Sequence, residues 1–516
     1  MTLQHRPRRF ASARVAAAAA VLLAGAGTAG PAAAQATEEG AEALRLDIKR
    51  FLASQFLQLP EVTGRIALDG GIEVVPAGNR YDLTIPPATV MIEPKGEDAI
   101  MASMGAIAGT ATPRDNGWLD LSLDLPGRIE VAPMESGIGE EPQVSGSERV
   151  IATLGERSAE LTVAPEMGAV IAADLQIADL RVAPETEEGS ITIGMIRGLQ
   201  TADERPDGAL DLVYDAAIEN AAFTEDDTEL ARFGRLGFAG SAVGIRLDAL
   251  MAFSEEMNAL AVRLEGQEPT AEDFQALSAA LDQLPLLFET VDGRYVLENL
   301  HVDAEGMVVD IAEARLGAGI DGLAGEATTV LFDIGMRNLT VDPPPPMTEG
   351  FMPRTVGLSV RFADLPNEAL MQAMDQFLTS AVQMGPEMAM MMGLGALQGA
   401  LTSGNAAIIV DELSFDTPRA GVTGDARVEP STESMLGVVA TANLAVAGIE
   451  AIIAATRDLP DGKSIASVLT LVQAMGRDGE PDGEGRPVKT FEIELTPSGQ
   501  ALMNGTDMGP LMEGLQ

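Results

Sequence analysis

The chain has 516 residues, 78 acidic side chains against 33 basic ones, and a formal net charge of −45. That balance excludes nucleic-acid binding through counterion release and sets the protein against anionic lipid surfaces. There is no cysteine, which removes disulfides, thiolate metal sites, a cysteine nucleophile and a lipidated cysteine together.

The first predicted element is an address. Arg6, Arg8, Arg9 and Arg14 come before or at the start of an apolar run over residues 15–24, and Ala32-Ala33-Ala34 supplies a small-residue cleavage site. These parts predict a signal peptide over residues 1–34, with an apolar run too short to span a bilayer. The expected compartment is the periplasm. Arg8-Arg9-Phe10-Ala11 is a poor twin-arginine match, so the general secretory route is preferred. Removing the leader takes away four arginines and no acid, which moves the charge to −49. The acids are spread along the chain and read as a solvated surface. No later stretch has the apolar length of a transmembrane segment, so the mature chain is expected to be soluble or peripheral.

After the leader, residues 41–57 predict an amphipathic helix through Leu44, Ile48, Phe51 and Phe56. From Val62 to about Ile245 the period becomes two, with strands predicted at 81–92, 118–131, 170–182, 190–196 and 209–222. Pro86-Pro87, Pro126-Gly127 and Pro206-Asp207-Gly208 punctuate them. No helical pattern lies between these strands, so an antiparallel meander is expected. Helices enter at Leu247, with Leu250, Phe253, Met257, Leu260 and Leu264 on one face. A second begins at Thr270, whose hydroxyl can cap it, with Asp273 in its first turn. Strands follow, then a proline run at 343–346. The order repeats as a strand at 355–362, helices at 367–382 and 387–401, strands at 406–415 and 438–446, helices at 449–456 and 464–475, and a terminal hairpin at 491–505.

One strand signature recurs. Asn299-Leu300-His301-Val302-Asp303 is echoed by Asn338-Leu339-Thr340-Val341-Asp342 and Glu412-Leu413-Ser414-Phe415-Asp416, and more loosely by Asp174-Leu175-Gln176-Ile177 and Asp179-Leu180-Arg181-Val182. Each sets two apolar residues on one face of a strand. The spacing between copies is uneven, so the repeat is a unit with insertions. These strands, with the terminal Phe491-Glu-Ile-Glu-Leu-Thr-Pro-Ser-Gly-Gln-Ala-Leu-Met-Asn-Gly505, resemble uncharacterised periplasmic families of alphaproteobacteria described as domains of unknown function. More distantly they resemble the AsmA-like envelope proteins. That second resemblance implies long curved sheets whose apolar side can face lipid. It carries over no functional residue, and this chain departs from the AsmA-like pattern in having no N-terminal membrane anchor.

Reactive centres are sparse. His301 is the one histidine after the leader, and Thr340, Ser414 and Arg181 occupy its position in sister copies, so it reads as a solvent-facing filler. Gly240-Ser241-Ala242-Val243-Gly244 puts its first glycine in the wrong place for a nucleophile elbow. Carboxylates abound, but one tryptophan and three tyrosines offer few sugar platforms, and Asp120 and Asp124 fit the wet side of a sheet. Asp478-Gly479-Glu480-Pro481-Asp482-Gly483 opens like a calcium loop, yet Lys489 stands where the bidentate glutamate is required. Met384, Met388, Met390, Met391 and Met392 form the most unusual cluster. Core packing is the first reading, an adaptable apolar surface for lipid or a partner helix the second, and Cu(I) ligation the third.

The sequence therefore predicts an α+β fold: a long twisted antiparallel β-sheet built from repeated strand units, covered on one face by amphipathic helix pairs. Its divisions are the leader at 1–34, a β-rich half at 35–245 and a half of alternating helix pairs and strands at 246–516. The expected role is non-enzymatic, a cell-envelope protein binding lipid or another apolar ligand between sheet and helices, with the methionine cluster as its surface. No cofactor or catalytic residue is assigned, and the partners expected are lipid or an envelope protein. A carboxylate-based hydrolase and a Met-rich copper module are the alternatives.

Overall fold

A computed structural model describes residues 36–54, 62–94, 99–135, 143–144, 149–164, 169–185, 189–226, 228–264, 270–281, 283–304, 306–345, 350–384, 392, 395–396, 399–402, 404–457 and 462–509. The predicted leader and most of the predicted helix at 387–401 lie outside the described residues. The chain divides into two compact units, Met1–Asp203 with Leu212–Phe238, and Glu204–Asp211 with Ala239–Gln516.

The first unit opens with α1 (Glu38–Ser54). Thr37 caps it: its Oγ1 accepts the Gly40 N–H at 3.0 Å, and Glu38 and Glu39 sit at the positive end of the helix dipole. Ala41, Leu44 and Ile48 recur at helical spacing and pack on Tyr81, Leu83, Leu121 and Val163 of the sheet. A side chain at Gly40 would collide with the Tyr81 hydroxyl, which itself accepts the Thr37 N–H. The strands are β1 (Val62–Leu68), β2 (Glu73–Ala77), β3 (Arg80–Ile85), β4 (Ala88–Pro94), β5 (Ala99–Met104), β6 (Ile107–Pro113), β7 (Leu119–Asp124), β8 (Arg128–Glu135), β9 (Gln143–Val144), β10 (Val150–Thr153), β11 (Arg157–Ala164), β12 (Ala169–Pro184), β13 (Ser190–Glu204), β14 (Leu210–Glu225) and β15 (Thr228–Ile245). The unit division falls within the last three.

Antiparallel pairing runs β2-β3-β6-β7-β11-β12 on one side and β1-β4-β5-β8-β10-β12 on the other. Each successive pair of short strands is one long strand broken at mid-length. The breaks line up as a crease. Gly70 meets Pro86, Gly105 meets Pro126, Gly155 meets Asp179, and Gly194 meets Asn220. The residues 81–92 and 118–131, each predicted as one strand, are each two, split by the prolines read as punctuation. Proline removes a ladder donor, and only a small residue lets the next strand come close at the bend.

In the second unit β16 (Thr290–Ala304), β17 (Met307–Asp321), β18 (Ala327–Arg337), β19 (Thr340–Asp342), β20 (Thr355–Pro366), β21 (Ala407–Asp416), β22 (Gly421–Pro430) and β23 (Val438–Ala447) are followed by β24 (Arg477–Asp478), β25 (Val488–Leu495), β26 (Ala501–Met503) and β27 (Thr506–Asp507). The order β16-β17-β18-β20-β21-β22-β23-β25 is antiparallel throughout. The last hairpin turns at Asn504-Gly505, both at positive φ, as a type I′ connection requires.

Among the described residues the helices do not form a cover of pairs over one face of the sheet, and this corrects the α+β expectation. These residues are mostly antiparallel sheet, and helices are few among them. α2 (Leu247–Leu264), α3 (Ala271–Leu281), the single turn α4 (Leu284–Leu287) and α5 (Asn367–Met384) continue from the strand ends at Ile245 and Pro366 and pack on one another. Ser278 Oγ of α3, for example, donates to Asp375 of α5 at 2.9 Å. In the second unit α6 (Ile449–Arg457) and α7 (Gly462–Met475) have a described core on the sheet, where Ile449, Ile453 and Ala466 pack on Phe491 at its β23–β25 end. Helical periodicity marks α2, α3, α5, α6 and α7 as helices. It carries no information on what the apolar stripe rests against, and α2 to α5 pack on one another.

Candidate apolar ligand face

Directly opposed residues of an antiparallel sheet share a face. Tyr295 opposes Leu316, which opposes Ile334, then Leu358, then Leu413. The neighbouring row is Ala318, Phe332, Val360 and Val410, and beyond it run Ile320, Val330, Phe362 and Ile408. On the other side lie Ala314, Met336, Val356 and Phe415. Every position in these rows is apolar, across β16 to β21. The same rows continue into β23 and β25 as Leu444, Val446, Phe491 and Ile493, where α6 and α7 pack against them.

The uncovered part is wet. Tyr295 is 52% exposed, Leu316 56%, Phe332 52%, Ile334 51% and Phe415 41%. An exposed phenylalanine alone is ordinary, but contiguous large side chains on one face mark a surface built for contact.

The opposite face is charged and bonded to itself. Arg315, only 10% exposed, lies between Asp333 at 3.1 Å and Glu412 at 3.0 Å, and its guanidinium passes over Gly335, where a side chain would strike it. Burial works against its charge, but the two carboxylates hold its pKa above the ordinary arginine value. Arg361 forms a two-pronged pair with Asp411, both contacts at 2.6 Å, and Asn443 donates to Asp425 at 3.0 Å. The two faces thus differ sharply in chemistry.

Met384 closes α5, and Met392, 38% exposed, accepts the Ser380 hydroxyl through its sulfur at 3.9 Å. Met388, Met390 and Met391 lie outside the described residues. His301 Nδ1 sits 2.7 Å from Asp310 Oδ1, and the other oxygen of Asp310 accepts from Thr340 at 3.5 Å. The carboxylate stands between imidazole and hydroxyl, so the imidazole is not placed to take the hydroxyl proton. Asp120 accepts from Arg114 at 2.8 Å and from Thr162 at 2.8 Å. In the acidic turn, Asp478 pairs with Lys489 at 2.5 Å while Asp482 holds Arg486, so the two carboxylates serve separate cations. Among the described residues no group of three or more histidines and carboxylates converges as a metal site. No helix among them is long and apolar enough to cross a membrane.

Sequence reasoning missed the face itself. Its signal was available: apolar residues at alternate positions in consecutive strands, with nothing polar in the shared register. Reading each strand alone hides that the rows align.

No family model, curated protein or solved structure matches the chain.

Proposed function

We propose that this is a non-enzymatic protein of the periplasmic cell envelope that holds lipid acyl chains on the uncovered apolar face of its second unit. The observation that carries the reading is the row Tyr295, Leu316 and Ile334, directly opposed across three strands and each more than half exposed. A net charge of −45 opposes both a second copy of the chain and an anionic bilayer as the occupant. An uncharged alkyl chain meets no such cost. Burial gains about 0.8 kcal/mol per methylene, so a chain half-buried along its length gains roughly 4 to 6 kcal/mol before ordering costs.

Native mass spectrometry of protein isolated from the periplasm tests this. The expected result is a mass increment of lipid size that disappears in the double substitution Leu316→Asp and Phe332→Asp. A bare mass in the unaltered protein, together with no binding of added hexadecan-1-ol, overturns it. Fractionation tests the location: recovery in the cytoplasm removes the envelope role.

A further inference from the structure

We infer that the occupant of the apolar face is a single-chain carboxylate amphiphile whose headgroup is received by Arg419; the inference rests on the acyl-chain reading above and names the ligand class for it. Arg419 lies in the turn between β21 and β22, at the strand end where Phe415 and Val422 close the apolar rows. Phe415 is 41% exposed. The turn is closed by its own hydrogen bonds: Thr417, 1% exposed, donates its hydroxyl to the Ala420 carbonyl at 2.8 Å and accepts the Ala420 N–H at 3.0 Å. The Arg419 backbone N–H is fixed to Gly350 O at 3.1 Å, and its guanidinium stands 5.8 Å above the centre of the Phe351 ring.

What distinguishes Arg419 is charge. Two neighbouring cations are neutralised. Arg486 meets Asp416 at 2.6 Å and Asp482 at 2.5 Å, and Arg354 meets Glu484 at 2.9 Å. Among the described residues no carboxylate lies within ion-pair distance of Arg419, in a chain where acids outnumber bases more than twofold. Arg419, exposed in the turn next to the strand end that carries Phe415 and Val422, offers one positive charge to one negative charge at the end of an alkyl chain. The class follows from what surrounds it. A carboxylate would do for Arg419 what Asp416 and Glu484 do for its neighbours. A phosphate monoester would bring a second negative charge beside those same acids with no cation left to meet it. The apolar face alone binds weakly, and a charge-assisted pair at its end raises affinity by about tenfold or more.

The test is competition against a neutral fluorescent alkyl probe with the full mature chain, unaltered and as Arg419→Gln. The competitors are hexadecanoate, hexadecan-1-ol and hexadecyl phosphate. The unaltered protein should bind hexadecanoate about tenfold tighter than the alcohol, and R419Q should lose that preference while binding the alcohol as before. A preference that survives in R419Q overturns the assignment of Arg419. Hexadecyl phosphate binding tighter than hexadecanoate overturns the carboxylate class. If the unaltered protein binds none of the three, the acyl-chain reading itself has failed, a different outcome from either.

Discussion

Asn299 and Asn338 stand level with the same residue, Ala312, from the strands on either side of it. The flanking pairs are Glu298 with Glu313 and Leu300 with Ile311 on one side, and Arg337 with Glu313 and Thr340 with Asp310 on the other. Both asparagines hold positive φ, 54° and 53°. The first unit repeats the arrangement. Asp179 at φ 50° and Asn220 at φ 54° flank Gly194, which falls between the pairs Ala178 with Met195 and Leu180 with Ile193. A left-handed residue inside a strand resets the alternation of side chains. Ile177 and Leu180, three apart, therefore share one core with Val182 and Ile193. Asparagine and aspartate are the side-chain-bearing residues that tolerate this conformation best.

The residue at each left-handed corner should thus be exchangeable for glycine and not for a β-branched residue. Asn299→Gly should leave the thermal midpoint close to its starting value. Asn299→Val should destabilise by about 1 to 2 kcal/mol, the cost of a left-handed conformation for such a residue. Parallel melts of the two variants, with Asn338→Gly and Asn338→Val alongside, measure the difference. Equal losses for glycine and valine would mean the side-chain amide, not the backbone, is what matters at the corner.

Covered and uncovered parts of the apolar rows should respond differently to truncation. Phe491 is 4% exposed beneath α6 and α7, so Phe491→Ala should cost about 3 to 5 kcal/mol. Leu316 is 56% exposed, and Leu316→Thr should cost less than about 1 kcal/mol because most of its surface is already in water. Denaturant melts of both variants settle the contrast. A large loss at Leu316 would show that this position is covered in solution.

Much of the architecture is legible in the sequence. Two-residue alternation announced the strands, and the prolines at 86–87 and at 126 marked where they change course. The corners were half visible. The recurring Asn-Leu or Asp-Leu pair stands out at positions 179, 299 and 338, but its first residue reads in sequence as an ordinary strand residue. Asp364-Leu365, at φ 53° beside the register shift opposite Thr328 and Val330, is another copy that the strand pattern alone does not reveal. A local pattern cannot distinguish a residue that continues a strand from one that bends it, since both are short and polar. The helices failed differently. Leu250 shares one predicted face of α2 with Leu260, yet Leu250 is 38% exposed and Leu260 is 4% exposed where α2 packs on α3 and α4. What lies opposite an amphipathic face is a tertiary fact.

The turn before β25 should report its own ion pair through pH. Partial burial pushes the Asp482 carboxyl upward, but the backbone N–H of Arg486, the guanidinium of Arg486 and the backbone N–H of Glu484 together hold it below the ordinary aspartate value. The hydrogen bonds are 2.8 Å from the Arg486 N–H and 3.0 Å from that of Glu484. A carboxyl depressed in the native state stabilises that state above its unfolded pKa, near 4, and the contribution disappears as pH falls through the lower native value. Asp482→Asn keeps the shape and removes the titration. The gap in thermal midpoint between the unaltered protein and D482N should be full at pH 6, shrink as pH falls below about 4, and close once the native carboxyl is protonated. A gap that stays constant over this range would assign the role of Asp482 to packing and hydrogen bonding independent of its charge.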